Sequence, residues 1–389
     1  MIRELKPSRS GFKDRFCRAI LYFIGLLIIG IYCYRILAHS TFKVIDNDQP
    51  IMWLAAANFA DFSFHEPCYY GQNYNTLLEG LLAAPLLWAK IPIPIAVPLV
   101  SSLLSIGSFL LLAAIALRKK LYGIALVISF IPFFLPLEYW IISFMPRGFV
   151  PGIFLASIAC YCLIIIKNKK GIFFWAFFSV LSVTVTANAV ILIFPLGIYA
   201  VLCHYRELPF YITAAGGALF GSIYQIALFL FYRSNPEYLL HRSWSLAFSI
   251  SKLWDGLCHM DKHYKWVTPI FNQGSIVLII IFIILIAVLI RRRKYKAAIT
   301  IIAGFALMLI TLGITKFHDA DYSVYYSYER FYLAVPHLLL FGLLLLYLDE
   351  EKDSPPRSNK LKCGYKSGQL SPTFAFRVKK TSYLEENLM

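Results

Sequence analysis

The chain is short of charge, and shortest of acid. Only 15% of its 389 residues are Asp, Glu, Lys or Arg, with 21 acidic against 37 basic side chains and a formal net charge of +16. A soluble globule is about 45–50% apolar. This chain is 59% apolar with a mean hydropathy of +0.67, which excludes a soluble domain. Other absences narrow the field. There is no Asn-x-Ser/Thr acceptor, which disfavours a glycosylated secretory product. There is no internal repeat or heptad register. The eight cysteines show no CxxC pairing. Cys17, Cys33, Cys160, Cys162 and Cys203 fall in or beside apolar runs, where cysteine behaves as a small apolar residue, and only Cys68 and Cys258 leave room for a disulfide.

What is present is a series of apolar runs of roughly 17–25 residues, each long enough for a hydrocarbon core of about 30 Å. They predict an all-α, polytopic transmembrane helical bundle of about ten spans over residues 1–348: 17–37, 97–117, 121–137, 149–166, 172–186, 188–203, 209–232, 275–290, 297–315 and 331–348. No small-residue cleavage site follows the first run, so it is expected to stay as an anchor. Arg3, Lys6, Arg9, Lys13, Arg15 and Arg18 put the N-terminus in the cytoplasm, with Arg118-Lys119-Lys120, 167–170 and 291–296 as later cytoplasmic loops. The positive charge therefore belongs to membrane orientation, and no nucleic-acid partner is implied. The polar segment 349–389 reads as a disordered cytoplasmic tail. Residues 76–95 carry Glu79, Lys90 and prolines 85, 92 and 94, and read as an interfacial or re-entrant stretch anchored by Trp88 rather than a continuous span.

On this map the unusual polar residues gather in four outer loops: 44–75, 138–148, 233–274 and 316–330. Carboxylates are costly within a bilayer, so a site on the outer surface is expected. The first loop holds Asp46, Asp48, Asp61, His65 and Glu66 with the aromatic-amide patch Cys68-Tyr69-Tyr70-Gly71-Gln72-Asn73-Tyr74-Asn75. Asp46 and Asp48 read either as a catalytic base at the membrane edge or as loop aspartates, one capping the helix that starts near Pro50. The Asp-x-Asp pattern also suits a divalent cation. Arg147 fits a phosphate, since a guanidinium forks onto phosphate oxygens, or a snorkelling helix start. His259 and His263 share a helical spacing without a third ligand, so no metal site is assigned. The tyrosines of 322–328 fit an interfacial belt.

The order of basic N-terminus, one span, an acid opening Asp48-Gln49-Pro50-Ile51-Met52-Trp53-Leu54-Ala55-Ala56-Ala57, the aromatic-amide patch and a following helix resembles the first outer loop of the GT-C superfamily of integral membrane glycosyltransferases. That group includes protein O-mannosyltransferases and aminoarabinose transferases acting on lipid A. The resemblance covers residues 17–200, and Arg330-Phe331-Tyr332-Leu333-Ala334-Val335-Pro336 looks like the entry to a late span in that group. The chain departs from it in carrying Asn75-Thr76-Leu77 where a basic-proline run stands, and in having fewer spans.

The resemblance implies an inverting transfer of sugar from a polyprenyl-phosphate donor to a lipid, glycan or protein acceptor. The site would face the extracytoplasmic side of a bacterial inner membrane. Asp48 would be the catalytic base, with Asp46 second; Arg330, Arg147 and Lys316 would hold the donor phosphate; Tyr70, Gln72, Asn73, Glu138 and His318 would contact substrate. The alternatives are a lipid or polysaccharide flippase, for which the spans offer little beyond Thr184, Thr186, Asn188, Tyr224 and Gln225, and a non-catalytic membrane scaffold.

Overall fold

The computed structural model describes residues 10–43, 45, 48–240, 246–264, 267–268, 274–316 and 330–348, so Asp46, His318 and the 349–389 tail lie outside the described residues. The described chain is a helical bundle with one short two-stranded ladder. Prolines mark where its helices begin, in the first turn where no backbone donor is lost. This is so for α2 (Gln49–Ala60), α4 (Ile93–Arg118), α7 (Val150–Ile165) and α10 (Leu208–Ser234). The proline-rich stretch is thus the start of α4, with Pro92 as its cap, and Pro98 alone lies deeper inside. Asn168 caps α8 (Lys169–Val185), its side-chain oxygen accepting from Gly171 N–H at 3.2 Å.

Among the described residues, six helical stretches are long and apolar enough to cross a membrane: Phe23–Thr41 at the end of α1 (Ser10–Ile36), α4, Ala187–His204 containing α9 (Val190–His204), α10, α13 (Gly274–Arg291), and Tyr295–Gly313 containing α14 (Tyr295–Ile310). A seventh is made if Tyr122–Phe134, which contains α5 (Tyr122–Phe130), is joined to α6 (Leu137–Phe144) across a 91° bend. The expected spans at 149–166, 172–186 and 331–348 correspond to shorter apolar helices: α7 with 16 residues, α8 with 17, and Phe331–Tyr347, whose first turn leads into α15 (Val335–Tyr347) with 13. At about 1.5 Å per residue, 16–17 residues reach about 25 Å, at the lower end of spanning lengths. Among the described residues, six or seven stretches thus meet the length and composition of a crossing, where ten were expected. The expected outer loop 138–148 is corrected as well: its first seven residues are helical, and Tyr139, Trp140 and Phe144 of α6 are buried.

Small residues let the helices approach. A Cβ on Gly217 or Gly221 of α10 would stand 2.2 or 2.7 Å from the Phe173 or Phe177 carbonyl of α8, the close small-xxx-small contact of membrane helices. The opposite face of α10 exposes Ile212, Leu219, Phe220, Ile223 and Phe229, as a lipid-facing helix does. Some buried polar groups are paired across the bundle: Tyr139 OH donates to the Leu333 carbonyl at 2.9 Å, and Ser108 Oγ lies 2.6 Å from His337 Nε2.

Residues 76–95 hold one short helix before α4 begins at Ile93. Their helix α3 (Leu78–Trp88) has 11 residues, spans about 16 Å, and forms a hairpin with α2. Gly80 lies against the Met52 carbonyl and Ala56 amide, and Trp88 Nε1 donates to the Ala60 carbonyl at 2.8 Å. Between β1 (Leu246–Phe248) and β2 (Ile314–Lys316), Leu246 pairs with Lys316 and Phe248 with Ile314, which joins the third polar loop to the beginning of the fourth. Cys68 and Cys258 are both free thiols, the first buried and the second exposed.

Candidate functional site

The first loop turns back on itself after α2. Gln72 N–H donates to the Tyr69 carbonyl at 2.9 Å, closing a turn whose third residue, Gly71, has φ +81°. That is the type II geometry, which favours glycine there. Tyr69 N–H then donates to the Asn75 carbonyl at 2.8 Å. The turn sends neighbouring side chains to different places. The Tyr70 hydroxyl accepts from Asn58 Nδ2 at 2.8 Å, and its ring packs on His65. The Tyr69 hydroxyl donates to the main-chain carbonyl of Asp48 at the start of α2.

Asp48 is half-buried, its side chain makes no capping bond, and Pro50 follows in the first turn. Burial holds the phenols of Tyr69 and Tyr74 above their ordinary range. The Asp48 carboxylate pushes both further up, and the Arg330 guanidinium pulls both down. Asp48 and Arg330, 282 positions apart by their numbers, therefore act on the same two hydroxyls.

Arg330 is held from behind. Its guanidinium carbon lies 4.1 Å from the centre of the Phe149 ring. Its main-chain carbonyl accepts from Asn188 Nδ2 at 3.3 Å, and the same nitrogen donates to the Phe149 carbonyl at 2.9 Å. Asn188 is buried in the short turn that separates α8 from α9. Gly148, at φ +75°, gives its carbonyl to Thr186 Oγ1 at 2.5 Å and its N–H to Glu79 Oε2 at 2.8 Å. A Cβ there would meet the Thr76 carbonyl at 3.2 Å. Thr76 N–H in turn donates to the Val185 carbonyl at 3.3 Å. The first loop, the turn after α6, the α8–α9 break and the entry to α15 thus close on one another.

A second buried carboxylate ties the loop to α10. Glu66 Oε1 accepts from Gly71 N–H at 3.0 Å, while the Tyr232 hydroxyl lies 3.1 Å from Oε2 and 2.8 Å from the Gln72 carbonyl. Burial raises the Glu66 carboxyl, and these donors and His65 oppose it.

Of the residues singled out from the sequence, Asp48, Arg330 and half-buried Arg147 are brought to this junction. Tyr70 faces Asn58 and His65. Gln72 is half-buried and Asn73 exposed, and neither side chain hydrogen-bonds a described residue. Glu138 is exposed on the first turn of α6. Lys316 has a described backbone in β2 but no described side chain; Asp46 and His318 lie outside the described residues. His259 Nδ1 lies 3.1 Å from Asp255 Oδ1, and among the described residues no group of three His, Cys, Asp or Glu side chains could hold a metal ion.

Tyr69, Tyr74, Glu79 and Asn188 belong to the junction and were not singled out as site residues. Glu79 and Asn188 did carry a signal: each is a lone polar residue in a strongly apolar stretch, which needs a reason. Compared with protein-family models, with curated proteins and with solved structures, the chain gives no match to any of the three.

Proposed function

We propose that this chain is an inverting membrane glycosyltransferase that moves a sugar from a polyprenyl-phosphate donor to an acceptor hydroxyl, at the extracytoplasmic face. The observation that carries the reading is the Tyr69 hydroxyl's bond to the Asp48 main chain, with the Asp48 carboxylate and the Arg330 guanidinium acting in opposite senses on the Tyr69 and Tyr74 phenols. A carboxylate and a guanidinium so placed divide the labour of a displacement at an anomeric carbon. Asp48 takes the proton of the acceptor hydroxyl as its oxygen bonds to the anomeric carbon. The bond from that carbon to the phosphate oxygen breaks, its electron pair leaves with the lipid phosphate, and Arg330 with Arg147 neutralises the developing charge. Phe149 and Asn188 hold Arg330 before the donor arrives, so little ordering remains to be done at the moment of reaction.

The test is to incubate the purified protein with a panel of polyprenyl-phosphate sugars and to follow release of the lipid carrier. Release from one donor, dependent on an acceptor, supports the reading. No release from any donor, together with no binding of polyprenyl phosphate, contradicts it, and transbilayer movement of the intact lipid would point to a flippase.

A further inference from the structure

Glu79 is fully buried near the start of an apolar helix, where an apolar residue would fill the space without any cost of desolvating a charge. One bond explains why a carboxylate is there. Its Oε2 accepts the N–H of Gly148, 69 positions away, at 2.8 Å. Its Oε1 makes no full hydrogen bond: the Ser101 hydroxyl of α4 stands beside it but donates to the Val97 carbonyl at 3.3 Å.

The turn that Glu79 grips is held at three successive points. Glu79 holds the Gly148 N–H, Thr186 the Gly148 carbonyl, and Asn188 the Phe149 carbonyl. Of these three holders only Glu79 can change its charge. The residue before the turn is Arg147, and the ring after it carries the Arg330 guanidinium. We infer that Glu79 is a positioning residue for the proposed transfer, its ionised carboxylate fixing the Arg147–Phe149 turn and, through the Phe149 ring, the guanidinium that receives the leaving phosphate.

This rests on the reading of the site as a phosphate-lipid transferase. An ionised carboxylate grips an amide about twice as strongly as a neutral acceptor does, so the ionised form is the one that holds the turn. Burial pushes the Glu79 carboxyl up to about 7, against the opposing pull of the Gly148 amide and the Ser101 hydroxyl. The groups that face it are Tyr69 from the first loop, Ser101 from α4 and the Gly148 amide, while α2 packs Met52, Ala55 and Ala56 against the adjacent Gly80. Asp48 and Arg330 both act on Tyr69.

The experiment measures the rate at saturating donor from pH 5.5 to 8.5 for wild type and Glu79→Gln, with polyprenyl phosphate binding measured alongside. Glutamine keeps an oxygen for Gly148 and removes the charge. The inference expects the wild-type rate to fall as pH drops through about 7. It expects Glu79→Gln to lose that limb and to run about tenfold slower at pH 8, with its KM for donor little changed. A wild-type enzyme that releases carrier without a limb near 7, or a Glu79→Gln enzyme with full rate and the same limb, overturns the inference and leaves the transferase reading standing. A wild-type protein that neither binds polyprenyl phosphate nor releases it overturns both. The wild-type profile needs no variant to fold, so a poorly folding Glu79→Gln protein does not shield the inference.

Discussion

The Arg330 guanidinium lies 4.1 Å from the Phe149 ring centre, and the two residues share one side-chain amide, that of Asn188, through their main-chain carbonyls. A cation placed over a ring face gains about 0.5–1 kcal/mol at an exposed site and about 2 kcal/mol when desolvated. Arg330 enters α15, and Phe149 precedes α7. The cation that the proposed chemistry needs is thus fixed by a distant part of the chain.

Phe149→Leu keeps the volume roughly apolar and removes the ring. It should weaken polyprenyl phosphate binding about fivefold, corresponding to about 1 kcal/mol. Arg330→Gln removes the charge itself and should weaken it about 10- to 100-fold. Titration of the lipid phosphate into detergent-solubilised protein checks both, and equal affinities in the two variants and wild type would show that Arg330 takes no part in binding.

Asn188→Ala leaves the Phe149 and Arg330 carbonyls without their shared donor in a buried turn. The expected loss is about 2–3 kcal/mol, read as a lower midpoint of thermal inactivation in detergent. A midpoint equal to wild type would mean that the two bonds contribute nothing to stability.

The stability of the fold should also depend on pH through Glu79. Its folded value is raised above the ordinary 4.5 to about 7, so between those values the folded state binds the proton more tightly than the unfolded state. The stabilisation is therefore fully present below about 4.5 and is lost as pH rises to about 7, by up to about 3 kcal/mol. Glu66, raised in the same direction by burial, adds to the slope. Glu79→Gln should flatten much of this dependence and be more resistant than wild type at pH 8. An unchanged slope in the variant would contradict the assignment.

Tyr74→Phe should slow transfer about tenfold more than Tyr70→Phe. The Tyr74 phenol lies within the fields of Asp48 and Arg330, whereas the Tyr70 hydroxyl is engaged by Asn58. Steady-state rates of the two variants decide it, and the reverse order would place the substrate on the other side of the turn.

The sequence made the loops legible and left the turns inside them hidden. Scarce charge in the apolar runs singled out four polar loops, and the structure brings parts of all four into contact through His65 with Tyr238, Gly148 with Asn75, and Leu246 with Lys316. Which tyrosine faces which partner depends on φ at Gly71, and no periodicity encodes that angle. The break at Thr186–Asn188 falls where the runs 172–186 and 188–203 were expected to turn, whereas the bend after Phe134 leads into a buried helix that run length did not show. Glu79 was read as breaking an apolar stretch and not as a site residue, because its partner, Gly148, offers a backbone amide with no signature in sequence.

The central claim is that Asp48 supplies the base and not the binding. Asp48→Asn and wild-type protein should therefore be compared for donor affinity and for carrier release in a single turnover. The account predicts similar affinity with release slowed about 10²- to 10⁴-fold in the variant. Release at the wild-type rate, with binding intact, would contradict it.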